Sequence, residues 1–257
     1  MPRVVIIMQF NDAYLRFGIT LLKSLERYAE GALKIAYTVN LTDRDVIALK
    51  NACPSLVVIN STVRFLRGKF LRNFMANRKV RVFKDALERF GGAAEDYYVM
   101  LDTDLLLRAP IETLLSKLED NQVGLIYREQ AFGFHVKFNS SVVVVSGDGV
   151  RLIDEWHKQM KHRWIIFCTN EKLTLLEILR KKKHGSPRPL YVRKWKWFWD
   201  QITLFEAVKN LGIKFSTLDA NDFINPNFDN HAAIWSGHNE KKDLVYERFL
   251  KEVMKEC

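Results

Sequence analysis

Cysteine, proline and long apolar runs are what this chain has little of. Three cysteines, Cys53, Cys168 and Cys257, stand in 257 residues. Their odd number and scattered spacing exclude a disulfide framework or a zinc-binding pattern, so they read as free thiols of a reducing compartment. Six prolines and 12 glycines exclude a collagen-like or low-complexity chain. No apolar run approaches the roughly 18 residues of a membrane span. The opening MPRVVIIMQF has one basic residue, a short apolar stretch and no small-residue cleavage site, so no secretory leader is expected and a cytoplasmic location is. What is present is globular: 48% hydrophobic and 27% charged residues. At this length the expectation is a single domain over residues 1–257 that buries about 70–75% of its unfolded surface without staples.

The net charge of +10 is unevenly placed. Asn60 to Lys84 holds eight basic and no acidic residues, and Trp156 to Trp199 holds twelve basic against two acidic. These segments contribute +8 and +10, leaving −8 on the rest of the chain. Such a distribution suits a face for phosphate-rich ligands, nucleic acid or an anionic membrane; the alternative is a solvated basic surface without a partner.

Apolar periodicity orders the elements. Val4 to Met8 reads as a buried strand, followed by cap chemistry at Asn11-Asp12 and a helix to Tyr28. Lys34 to Val39, Asp43 to Asn51 and Leu56 to Asn60 continue as strand, helix, strand, which predicts a parallel sheet with helices on its faces. The basic stretch begins as a loop and becomes helical near Lys79 to Phe90. Tyr97 to Leu101, Gln122 to Tyr127 and Ser140 to Ser146 are strands. Helices are expected from Val150 to Met160, Lys172 to Arg180, Gln201 to Leu211 and from Lys242, with a short strand near Phe215 and an irregular stretch to Gly237. Residues 181–199 form a basic, tryptophan-containing insert. In it Trp195, Trp197 and Trp199 alternate as one aromatic face of an extended segment, a membrane or acceptor loop if they are not core residues.

The segment YYVMLDTDLLLRAPI carries the most chemistry. A buried strand runs into Asp102 and Asp104, and side chains two apart in an extended chain share a side. Paired carboxylates repel unless a cation lies between them, and Mg²⁺ or Mn²⁺ suits a hard oxygen pair. The carboxyl edge of a parallel sheet is also where open α/β folds bind ligands. The competing reading is a polar turn with Asp102 capping the helix near Pro110.

Four segments in order resemble the GT-A-fold glycosyltransferases, most closely the retaining family 8 group of glycogenin, galactinol synthase and bacterial lipopolysaccharide glycosyltransferases. They are FNDAYLRFGITLLKSL, YVMLDTDLLLRAPIETLL, KFNSSVVVVSG and WDQITLFEAV. The resemblance implies a Rossmann-like, mostly parallel sheet with helices on both faces. It also implies metal-dependent transfer of a sugar from a nucleotide diphosphate donor, with UDP-sugars favoured, to a glycan or lipid-linked hydroxyl with retention. Through it, Asn11 and Tyr14 match base and ribose contacts. Asp102 and Asp104 match the metal ligands, the first also approaching the ribose. Lys79 matches a basic residue that neutralises the diphosphate, although Arg78, Arg81 and Lys84 are close enough to be the counterpart. Asn139 matches a residue lining the sugar pocket, Asp200 one that holds sugar hydroxyls, and Gln201 one near the anomeric carbon. The bland counterparts are caps, packing and strand-end hydrogen bonds. Ser141 replaces the family glycine. The third metal ligand is His238 on this reading, with His231 upstream and Ile234 at the nearest matching position, and Lys241 is placed for phosphate.

A nucleotidyltransferase acting on sugar phosphates is the runner-up, weakened because MQFNDAYLRFG holds no glycine- and basic-rich loop. A nucleic-acid-binding protein would explain the basic segments and leave the Asp pair unexplained, so no specific nucleic acid is expected.

Overall fold

The computed structural model describes residues 2–63, 68–118, 120–127, 138–163, 199–219, 224–225, 232–236 and 242–255. The expected helix at Lys172 to Arg180, Trp195, Trp197 and all of the 181–199 insert before Trp199 lie outside them. So do His231, His238 and Lys241.

Strand β1 (Val4–Asn11) alternates its side chains between two cores. Val5 and Ile7 belong to one apolar cluster, Ile6, Met8 and Phe10 to the other, and all five are buried. This is what a strand covered on both faces requires. Helix α1 (Leu15–Tyr28) packs Leu21, Leu22 and Leu25 beneath it, and Gly18 lets the helix lie directly against the Phe10 ring, which an added Cβ would meet at 2.7 Å. β2 (Leu33–Val39), α2 (Asp43–Ala52) and β3 (Val57–Ser61) follow as the periodicity predicts. Thr42 and Asp45 close a capping box that fixes where α2 begins.

Helix α3 (Gly68–Phe90) starts eleven residues before the expected Lys79. Its first turns carry Lys69 and Arg72 among few acidic neighbours, a composition that reads as loop, yet the continuous helix places Val80, Phe83 and Ala86 on the sheet. Packing of that face overrides the local signal. β4 (Tyr97–Leu101) has the expected bounds, followed by β5 (Leu105–Leu107), α4 (Ile111–Leu115), β6 (Val123–Tyr127) and β7 (Phe138–Ser146). Residues 151–163 form α5, and α6 (Trp199–Leu211) and β8 (Ser216–Asp219) come next. The stretch expected to be irregular contains β9 (Ile224–Asn225) and β10 (Ile234–Ser236), which join β5 in a small second sheet before α7 (Lys242–Lys255).

The main sheet has the order β3-β2-β1-β4-β7-β6-β8. β7 runs antiparallel to both neighbours and every other pairing is parallel. The α1, α2 and α4 side chains fill the cluster on one face, and those of α3, α5 and α6 the cluster on the other. Connections leave β1 outward to β2 and β3, then return to β4 on its other side. The crevice between the carboxyl ends of β1 and β4 is therefore the topological switch point. No helix among the described residues is long and apolar enough to cross a membrane.

Candidate active site

β1 and β4 are in register up to Met8 and Leu101, so the residues after them meet at the switch point. Thr103 Oγ donates to the Gln9 carbonyl at 2.8 Å, and the Asp102 N–H donates to the Ser141 carbonyl at 2.8 Å. Residues 103 and 104 form a turn, so Asp102 and Asp104 do not stand two apart on one extended strand as the sequence pattern implied. Asp102 does not cap the next helix, whose N-cap is Pro110 without a side-chain bond.

A third carboxylate arrives from far along the chain. The pairing of β6 with β7 shifts register at Leu125/Ile126, which frees residues 140–142 of β7 from β6 beside the end of β4. Bulges of this kind re-aim side chains next to functional sites. Ser140 donates to Asp200 Oδ2, and Lys79 Nζ lies 2.6 Å from Asp102 Oδ1 and 3.5 Å from Asp200 Oδ2. The same ammonium donates to the Ser140 carbonyl at 3.2 Å and its hydroxyl at 3.1 Å. α3, β4, β7 and α6 thus converge on one nitrogen. Lys79 is not a surface charge: its side chain is 6% exposed.

Charge decides the electrostatics. Desolvation pushes the Asp102 carboxyl up to about 6, opposed by the Lys79 ammonium and reinforced by the carboxylates of Asp104 and Asp200. Burial pulls Lys79 down, but Asp102 and Asp200 outweigh it and hold the lysine above its ordinary value. One buried ammonium is shared by two carboxylates, Asp102 and Asp200, with the Asp104 charge close enough to raise Asp102 further. Asp200 Oδ1 is buried and has no hydrogen-bond partner among the described residues. Oxygen-only donors with an unsatisfied lone pair suit a hard divalent ion or a ligand hydroxyl. Among the described residues no third His, Cys, Asp or Glu completes a metal-sized cluster with the Asp pair.

The remaining candidates divide. Asn11 ends β1 without capping the following turn, and its buried Oδ1 has no partner. Tyr14 packs its ring 5.6 Å from that of Phe17. Asn139 is buried, and its Oδ1 accepts from the Ser141 N–H at 2.9 Å, a local bond at the strand start. Asp200 and Gln201 are the second and third residues of α6, inside its first turn and not at the cap, and the Asp200 carboxylate turns to Ser140 and Lys79. Trp199 begins that helix with its ring in the core, so it is not part of an extended aromatic face.

Sequence reasoning missed Ser140, Gln9 and Trp156. Gln9 Nε2 donates to the Met75 carbonyl at 2.6 Å, tying β1 to α3. Trp156 Nε1 donates to the Asp200 carbonyl at 2.9 Å. Only Ser140 had a signal, as the neighbour of Asn139 in FNSS.

No protein-family profile and no curated protein matches the chain. Solved structures do. Glycosyltransferase GlyE of Streptococcus pneumoniae TIGR4 aligns with all of this chain at 14% identity and a TM-score of 0.53, and the chain spans 63% of that protein's length. Galactosyltransferase LgtC, crystallised with donor and acceptor sugar analogs, aligns with 98% of this chain and 95% of its own, at 13% identity and a TM-score of 0.51. A glycosyltransferase involved in glycosylation of the major capsid of PBCV-1 aligns with 96% of this chain and 100% of its own, at 11% identity and a TM-score of 0.52. The chain has the GT-A fold of these neighbours, as the resemblance of its four segments implied.

Proposed function

We propose that a chain with this fold transfers a sugar from a nucleoside diphosphate donor to a hydroxyl acceptor in a metal-dependent reaction. The observation that carries the reading is the meeting of Asp102 and Asp200 on one buried lysine at the switch point, with Asp200 Oδ1 left without a hydrogen-bond partner among the described residues. Fold alone does not assign chemistry; the site does.

Asp102 and Asp104 would hold Mn²⁺ or Mg²⁺, with His238 as the proposed third ligand. A bound ion of this kind supplies charge stabilisation to a departing diphosphate. The protein's own contributions are positional. Lys79 holds Asp102 and Asp200 at fixed separation. Asp200 offers Oδ1 to a donor hydroxyl, and Gln201 follows at the helix start. Asn11 offers an acceptor at the base end of the crevice, where Tyr14 adds an aromatic face, and Asn139 stiffens the strand start beside the sugar. Lys241 would add charge at the phosphates. Retention of configuration would follow from attack on the donor's own face, with the departing diphosphate accepting the acceptor proton.

UDP-sugars as donor and a glycan or lipid-linked acceptor complete the reading. Contact with an anionic membrane fits the charge pattern, because α3 and the start of the second basic segment, Lys158, Lys161 and Arg163 of α5, belong to helices covering the same sheet face. Lys84 of α3 pairs with Asp154 of α5, and burial together with the charges of Lys161, Lys84 and Arg81 holds His157 below its ordinary value.

The test is calorimetric titration of Mn²⁺ followed by donor hydrolysis over a panel of nucleotide sugars. Asp104→Ala, with circular dichroism unchanged, should lose manganese binding and at least a hundredfold in turnover. Undiminished binding and turnover in that variant overturns the reading.

A further inference from the structure

We infer that Ser140 is a positioning residue for Asp200, holding that carboxylate so that its second oxygen is presented to a hydroxyl of the donor sugar. The inference rests on the transfer reading above and deepens it.

The polarity of the contact is fixed by chemistry. An ammonium has only protons to give, so Lys79 Nζ, 3.1 Å from Ser140 Oγ, must be the donor there. The single proton of Ser140 is then committed to Asp200 Oδ2. A relay runs one way, from Lys79 through Ser140 to Asp200, with every member buried.

The carboxylate is otherwise free in one coordinate. Its backbone is anchored, because Trp156 Nε1 donates to the Asp200 carbonyl at 2.9 Å, while Thr203 Oγ gives its proton to the neighbouring Trp199 carbonyl at 2.6 Å. The torsion that turns a carboxylate has a broad, two-fold profile, so nothing intrinsic chooses which oxygen faces inward. Lys79 is 3.5 Å from Oδ2, a long contact, against 2.6 Å to Asp102. Ser140 supplies the short hydrogen bond that stops rotation. The result is an acceptor, Asp200 Oδ1, that is buried and unpartnered. A buried oxygen of a charged group left unsatisfied is costly, and a site that retains one is shaped for a ligand proton. Without the Ser140 hydroxyl, the carboxylate plane can tilt to turn both oxygens toward Lys79, and the acceptor is lost.

The diphosphate and base need not touch this relay, which makes the role separable. Calorimetry with Mn²⁺ present would compare UDP with UDP-galactose and UDP-glucose as probes. In Ser140→Ala, UDP should bind within twofold of the wild type, while the better of the two sugar nucleotides weakens at least tenfold relative to UDP. Ser140→Cys, close in shape and a weak donor, should give the same selective loss, and Ser140→Thr should keep the wild-type ratio. Combining Ser140→Ala with Asp200→Asn should cost no more than Asp200→Asn alone. Equal weakening of UDP and the sugar nucleotides, an unchanged ratio, or additive losses in the double variant overturns the role of Ser140 and leaves the transfer reading standing. A wild-type protein that binds neither manganese nor UDP overturns the transfer reading, and this inference with it.

Discussion

Lys79 carries its charge because two carboxylates sit on it, and they are tolerable in turn because it is there. Replacing one partner of a buried cluster is far more damaging than its net contribution suggests, since the others stay buried and unpaired. Lys79→Met should therefore lower stability by about 3–5 kcal/mol in urea unfolding at pH 7. The loss should shrink toward pH 4. The Asp102 carboxyl already lies above its unfolded value, and without the ammonium it rises further, so the penalty is absent below the unfolded value, grows between the unfolded and folded values, and is complete above the folded one. Metal binding has the opposite slope. A ligand carboxyl pushed up to about 6 competes for its proton, so manganese affinity should be flat above pH 7 and fall about tenfold per pH unit well below 6. Titrations at pH 5, 6 and 7 check this, and affinity independent of pH counts against Asp102 as a ligand.

At the scale of elements, α7 matters because it closes the site's flank. Tyr246 is fully buried, its ring 5.4 Å from that of Trp235 and 4.9 Å from that of Phe17. Among the described residues its hydroxyl has no hydrogen-bond partner, and burial together with the Asp104 charge pushes the phenol well above its ordinary range. Tyr246→Phe removes an unsatisfied polar atom and keeps the ring contacts. The midpoint of thermal unfolding should stay level or rise by a few degrees. A clear fall would mean that the hydroxyl bonds something essential. The register shift in β7 has a comparable local logic: a regular pairing with β6 would engage residues 140–142 in the ladder and leave Asp200 without its hydroxyl partner.

For the whole molecule, the switch point collects residues from both halves of the chain, so occupancy should be felt globally. Manganese with UDP at about 100 times the dissociation constant adds about 2.7 kcal/mol, which for a chain of this size raises the unfolding midpoint by roughly 5–10 °C. The shift should vanish on chelation and be absent in Asp104→Ala. Most of the architecture was legible beforehand because β1 through β4 and their helices follow apolar periodicity. The start of α3, by contrast, was hidden by its basic residues. β9 and β10 were hidden by their length, two and three residues being too few for alternation to register.

Local sequence was enough to settle the strand that ends in Asp102, the αβ alternation and the positions of Asn11, Asn139 and Asp200, because each depends on periodicity or motif spacing within a short window. The rest was decided by tertiary structure alone. Lys79 became a buried counter-ion joining two carboxylates rather than a surface charge, and Ser140 became the hydrogen-bond donor to a carboxylate 60 positions away. Neither property exists until α3, β7 and α6 are packed against the end of β4, since burial and hydrogen-bond partnership belong to assembled surfaces and not to any segment that contributes to them.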